Sequence, residues 1–240
     1  MLADSSTPSR TGIRTSQSTA TSWLGSLAGR GSGSVTSGSL GPSPAVPTDQ
    51  PVPCDDAAMD GRFVRNSRRV AYQNPWITVW HDEGTRPDGN PGIYGVVHFA
   101  NRAVGVVAFD DDDRVVLVGQ HRYPLENDSW EIPEGGVPVD EDPVVGAQRE
   151  LREETGLTAA SWRELCRLEI SNSVTDETAV LFVATGLTHG ESDPEPTESI
   201  QVRWVRFDEA LAMTLDGRIV DGLTVVAIQR VALDRLTARP

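Results

Sequence analysis

A chain of 240 residues has room for one catalytic domain with additions and can bury a sizeable core. Its 21 basic residues are all Arg, and against 35 acids they leave a formal charge of -14, a repulsive field for duplex DNA or extended RNA. No apolar run approaches the roughly 20 residues a membrane-spanning helix needs, so no membrane and no nucleic-acid polymer is expected as partner, while a small anionic substrate stays open if metal ions bridge it. Cys54 and Cys166 lie far apart in no metal-like spacing, which predicts neither a disulfide framework nor a zinc site and favours a reducing, cytoplasmic location.

Residues 1–58 read as a disordered tail. As far as Thr48 they are mostly Ser, Thr, Gly and Pro, with Arg10, Arg14 and Arg30 against Asp4 as the only charges, a composition that cannot offset its own ordering entropy. Acid-poor, Ser/Thr-rich sequence also suits an organellar transit peptide, but no amphipathic helix supports a targeting role. Met59 opens the first globular-looking sequence and marks an alternative start. In residues 59–100 the segments 76–80 and 94–99 are rich in β-branched and aromatic residues and are parted by the turn formers of 86–92, as in antiparallel hairpins. Further strands are expected at 104–109 and 114–119, with Asp110 to Asp113 between them read as a solvated turn rather than a metal loop.

A helix is expected over 143–154, with Pro143 in its first turn and Gly156 just past its end. Strands follow at 163–170, 178–184 and 201–206. One helix then starts near Asp208, and another runs over 222–236 with Val225, Ile228, Ala232 and Leu236 at helical spacing. The fold class is therefore α/β (α+β), a mixed β-sheet between α-helices behind an N-terminal antiparallel hairpin region.

Along the 143–154 helix, Val144, Ala147 and Leu151 form an apolar stripe, while Glu150, Glu153 and Glu154 crowd another, solvent-facing side. Like charges at these spacings repel, so the cluster opposes its own helix unless cations neutralise it. Hard divalent ions bind oxygen ligands and can span carboxylates and substrate phosphates together. A Glu-rich helix alone is commonly just a solvated face, and the surrounding residues decide the matter. Gly135, Glu141, Arg149, Glu150, Glu153, Glu154 and Gly156 stand at the full spacing of the Nudix box, a chance match of order one in a million at average residue usage.

The chain thus resembles the Nudix hydrolases, and the resemblance implies a Nudix fold in residues 101–240 with the box as a loop-helix-loop. It implies Glu150 and Glu154 as metal ligands, joined by the backbone carbonyl of Glu134, with Glu153 in support and Arg149 and Glu141 orienting the set. The cofactor implied is Mg2+, with Mn2+ as the alternative. Residues 119–124 and 130–136 further resemble segments of the ADP-ribose and nucleoside-diphosphate-sugar pyrophosphatases. On that likeness Arg122 contacts the diphosphate and Glu131 the sugar or a water, although Arg122 could instead pair with an acid and Trp130 could be core. Two departures stand out. Residues 171–177 lack the Pro-Gly common in ADP-ribose-specific members, which opens the specificity to other nucleotide sugars, and Glu134 occupies a position where Ala is common.

The expected reaction is in-line attack of water on a metal-clamped diphosphate, releasing a nucleoside monophosphate and a sugar phosphate. Related enzymes draw their general base from a loop after the box, here the acidic 190–200 segment, where Glu198 is preferred to Glu195. Trp76, Trp80, Tyr94 and Phe99 lie where the family has its dimerisation strands, so a homodimer is implied in which a partner's ring stacks on the base. Trp76 is the candidate for that ring, with core packing the commoner use of such residues. Rival readings are a Nudix hydrolase of dinucleoside polyphosphates or coenzyme A, against which the segments before the box argue, and a non-catalytic nucleotide-sugar sensor, against which the intact glutamates argue.

Overall fold

The computed structural model describes residues 61–191 and 200–238; the expected tail, Cys54, Glu195 and Glu198 lie outside them. Three strands come first: β1 (Val64–Gln73), β2 (Ile77–Thr85) and β3 (Pro91–Phe99) form an antiparallel sheet in the order β1-β2-β3. The expected turn former segment is the β2–β3 loop, closed by Arg86 N–H donating to the Asn90 carbonyl at 2.9 Å. The strand β1 was not legible in the sequence. All ten of its residues are exposed, so it lacks the alternation that a half-buried strand writes into its sequence.

The remaining strands are β4 (Asn101–Ala108), β5 (Arg114–Arg122), β6 (Asn127–Glu131), β7 (Glu134–Pro138), β8 (Leu157–Glu169), β9 (Thr178–His189) and β10 (Gln201–Arg206). They form a four-stranded mixed sheet, β7-β4-β9-β8, in which β4 and β9 are parallel, and a three-stranded antiparallel sheet, β10-β5-β6. Three helices accompany them: α1 (Pro143–Thr155), α2 (Phe207–Asp216) and α3 (Gly222–Thr237). β4 shows why the layers form. Val104, Val106 and Ala108 pack towards α1 with Ala147 and Leu151, whereas Val107 packs on the other face with Ala210, Ala227 and Ile228 of α2 and α3. β4, with its period of two, thus feeds two cores, and the mixed sheet lies between helices as expected.

Local chemistry sets the helix ends. The Asp142 side chain accepts the Val144 N–H at 3.1 Å, and Gly156 closes α1 at a φ of 71°, a conformation glycine adopts without the Cβ penalty. At the start of α3, Asp221 Oδ2 accepts the Thr224 N–H at 2.7 Å. The buried stripe of α3 is Leu223, Ala227, Ile228 and Val231, while Leu236 is exposed. Of the expected stripe, Ile228 is buried and Val225 and Ala232 pack half-buried against the core, so only Leu236 departs from it; in the first turn the Thr224 hydroxyl accepts the Ile132 N–H at 3.0 Å. The Asp110 carboxylate accepts the N–H of Asp112 and of Arg114, the closed turn that was expected there.

Candidate active site

The carboxylates of α1 converge on the backbone of β7. The Glu134 N–H donates to Glu154 Oε2 at 3.1 Å, and the carboxyl carbon of Glu150 lies 2.3 Å from where a Cβ on Gly135 would stand. Any side chain at 135 would displace the Glu150 carboxylate, which is a physical reason for the box to open on glycine. Arg149 ties the assembly together through Glu141 at 3.1 Å, the Gly136 carbonyl at 3.1 Å and Glu150 Oε1 at 3.0 Å. Burial pushes the Arg149 pKa down, but the hydrogen bonds it donates to Glu150 and Glu141 outweigh it and hold the guanidinium charged. Glu153 sits at the margin, within salt-bridge reach of Arg149 (3.8 Å) and Arg152 (3.4 Å).

The expectation that all three glutamates face solvent is corrected at Glu154, which is only 4% exposed. It follows Leu151 around the helix into the layer between α1 and β7, where the Glu134 N–H meets it. A carboxylate held in such a place and offered backbone donors is fixed in orientation before any ion arrives. The oxygens of Glu150 and Glu154 beside the Glu134–Gly135 backbone are a hard donor set, with no soft ligand beside them among the described residues, and fit a divalent ion of the magnesium type.

Arg122 closes β5 and turns inward. Its Nε donates to Glu131 Oε1 at 2.9 Å, and its Nη2 donates both to Glu131 Oε2 and, at 2.9 Å, to Glu134 Oε1. Burial lowers the Arg122 pKa, yet the hydrogen bonds and charge of Glu131, then of Glu134, leave it above the ordinary arginine value. The pairing with acids, one of the two expectations for Arg122, is what the structure places there. Glu131 is buried behind Arg122 with 1% of its side chain exposed. Asp221, unremarked in the sequence, brings a third carboxylate: one oxygen each from Glu131, Glu134 and Asp221 lie within 4.8 Å of one another. Its only sequence signal was the Asp-x-x-Thr cap at the start of α3.

The other expected residues divide. Trp76 is 70% exposed just before β2, which overturns its core reading; Trp80 stacks on His98 at 4.6 Å under the Arg68 guanidinium. Trp130 is half-buried against the core beneath Arg203. The 171–177 loop is stitched to β3: the Val97 N–H donates to the Val174 carbonyl at 2.9 Å, the Tyr94 hydroxyl donates to the Ser173 carbonyl, and His98 Nδ1 meets Asp176 at 2.6 Å. Glu195 and Glu198, the candidate general bases, lie outside the described residues.

Comparison with known proteins agrees with this geometry. Residues 100–222 match the NUDIX domain and residues 65–97 the nucleoside diphosphate sugar hydrolase N-terminal domain. The chain is similar to a methanol dehydrogenase activator of Bacillus methanolicus, 35% identical over 63% of this chain and 83% of that protein. It is also similar to an ADP-ribose pyrophosphatase of Mycobacterium tuberculosis, 34% identical over 69% of this chain and 81% of that protein. Its fold matches a crystal structure of an ADP compounds hydrolase with a TM-score of 0.67, at 18% identity, covering 75% of this chain and 97% of the other. With the box glutamates set against β7 and both domain models matched in order, the chain belongs to the Nudix hydrolase family.

Proposed function

We propose that this enzyme hydrolyses the diphosphate bond of ADP-ribose or a related nucleoside diphosphate sugar, with Mg2+ as cofactor and a nucleoside monophosphate and a sugar phosphate as products. The observation that carries the reading is the joint placement of Glu150 and Glu154 against the Glu134–Gly135 backbone, with Arg122 beside it. When bound, Mg2+ supplies charge neutralisation at the diphosphate and acidifies water. The chain's own part is to hold the donors: Glu150 and Glu154 as ligands with the Glu134 carbonyl, Arg149 and Glu141 as positioning residues, Glu153 in support at the rim. Arg122 and Glu131 take the substrate's diphosphate and sugar, and Glu198 or, failing it, Glu195 removes the proton from the attacking water. The 171–177 loop, anchored to β3, borders the substrate and tunes which sugar is accepted. An ADP-ribose pyrophosphatase among the relatives supports the nucleotide class.

A homodimer formed through residues 59–100, with Trp76 of one copy offered to the other's substrate, is part of the same reading. So is a cytoplasmic setting; among the described residues no helix is long and apolar enough to cross a membrane. The test is incubation with Mg2+ and a panel of ADP-ribose, ADP-glucose, GDP-mannose, UDP-glucose and a dinucleoside polyphosphate, with products identified by mass. Release of AMP and ribose phosphate, or of the matching pair from another sugar nucleotide, supports the assignment. Turnover confined to the dinucleoside polyphosphate, or none, refutes it.

A further inference from the structure

The cluster beside Arg122 has a charge imbalance that the hydrolase reading does not use. Glu131 ends β6, Glu134 begins β7 and Asp221 caps α3, so three separate elements each bring one carboxylate to the same point, with oxygens within 4.8 Å. Arg122 is the cation bonded to it, and its Nε and Nη2 are already engaged with Glu131 and Glu134. Three carboxylates against one guanidinium leave two negative charges in excess. The positive end of α3 offsets a part of this, because Asp221 and the first N–H groups of the helix meet there.

A second observation points to a missing ligand. The Glu134 side chain is nine-tenths buried and faces this cluster, yet its Oε2 is fully buried and finds no hydrogen-bond donor among the described residues. Buried carboxylate oxygens are ordinarily satisfied, and leaving one without a partner costs on the order of several kcal/mol. A cavity of about 210 Å³, lined by Arg122, Glu131 and Asp221 together with the apolar Pro124, Leu125 and Val220, opens beside two of the three carboxylates.

We propose that Glu131, Glu134 and Asp221 form a divalent-cation site of their own, distinct from the site at Glu150 and Glu154. The all-oxygen donor set selects a hard ion such as Mg2+ or Mn2+, whose two charges cancel the excess. Glu134 stands between the two sites: its N–H bonds to Glu154, while its side chain faces Glu131 and Asp221. A cation here competes with Arg122 for the same carboxylates and loosens that guanidinium towards an incoming diphosphate. Binding at the three carboxylates requires no nucleotide and does not depend on the reaction proposed above.

The measurement is titration of the full chain with Mn2+ in the absence of nucleotide, free ion being read by electron paramagnetic resonance. Asp221→Asn is the primary variant, because Asn also caps helices and can still accept the Thr224 N–H; Glu134→Gln is the second and Glu154→Gln the reference. Asp221→Asn and Glu134→Gln should each weaken one Mn2+ by about 100-fold, at least the scale set by losing a supporting group around a metal. Asp221→Asn combined with Glu154→Gln should lose more ions than Glu154→Gln alone. Unchanged Mn2+ stoichiometry and affinity in a folded Asp221→Asn protein overturns the proposal, as does a double variant that loses no more than Glu154→Gln.

Discussion

At the scale of single residues, the site depends on where one carboxylate is buried. Glu154 is 4% exposed and takes the Glu134 N–H on Oε2, so Glu154→Gln removes a negative charge while leaving an amide oxygen in the same place. The fold should survive, with an unfolding temperature close to the parent's. Turnover with saturating Mg2+ should fall by roughly 100-fold or more, the equivalent of about 3 kcal/mol of transition-state stabilisation. Steady-state kinetics beside a thermal melt checks both halves, and near-normal kcat would remove Glu154 from the ligand set. The identity of this residue was legible from the spacing of the box, but its burial was not. Helical periodicity places Glu150, Glu153 and Glu154 on neighbouring arcs, and only the close approach of β7 decides which arc is covered. Asp221 shows the same limit: its capping role is local and readable, whereas its meeting with Glu131 and Glu134 is made by chain segments some 90 residues apart.

At the scale of elements, the distance between α1 and β7 is set by Gly146. A Cβ there would stand 2.1 Å from Val137 Cγ2 and 2.7 Å from Cγ1. In an exposed helix interior Gly→Ala gains about 1 kcal/mol, but here the overlap should reverse the sign. Gly146→Ala should destabilise by about 1–3 kcal/mol and lower kcat, because α1 must move away from the backbone that Glu150 and Glu154 face. Val137→Ala in the same chain opens the space, so the double variant should be more stable than the sum of the two single effects predicts. Additive losses in a denaturant-melt cycle would show that this contact does not set the spacing. α1 itself was legible because Pro143 and Gly156 punctuate it locally, and the structure adds the Asp142 cap. β6 and β7 were not: Asn127-Asp128-Ser129-Trp130-Glu131 and Glu134-Gly135-Gly136-Val137-Pro138 carry turn-forming residues and little β propensity, and they are strands because β5 and β4 supply the ladders.

The N-terminal sheet adds an acid-sensitive element. Arg68 on β1 grips Asp82 on β2 through two hydrogen bonds of 2.7 Å, and Asp82 is 4% exposed. The hydrogen bond from Arg68, and then its charge, hold the Asp82 carboxyl below its ordinary value despite burial. A carboxyl whose folded pKa is depressed contributes stability that is fully present above its unfolded pKa, near 3.9, and is lost as pH falls through the folded value. Unfolding temperature measured from pH 6 down to pH 2 should therefore drop less steeply in Asp82→Asn than in the parent, with the two curves converging at the acid end. Parallel curves over that window would mean that Arg68 and Asp82 gain nothing from their pairing.

At the scale of the whole molecule, the same sheet carries several large apolar side chains that are exposed to water. Ile93 is 72% exposed, Trp76 70%, Tyr72 56% and Val70 53%, and all lie in the segment that matches the nucleoside diphosphate sugar hydrolase N-terminal domain or at its margin. By the strand register Tyr72 and Ile93 share one face of the sheet and Val70 lies on the other, and exposed apolar side chains sharing a face are what a contact with a second chain would cover. Charge favours a second copy as the partner tested: besides the Asp82-paired Arg68, β1 carries Arg65 and Arg69 and no acid, in a chain whose net charge is -14. One copy's basic strand can thus approach the other's acidic body with attraction where two whole chains would repel. Light scattering on a sizing column should give twice the chain mass of 25.9 kDa. Replacing Tyr72 and Ile93 together by Asp should yield a folded monomer, since both side chains are exposed and neither supports the core of its own chain. If the partner's Trp76 completes the substrate site, that monomer should show a raised KM for the nucleotide with its box-bound metal affinity intact. A parent protein that runs as a monomer at micromolar concentration, with full activity, would instead leave the exposed sheet without a role in catalysis.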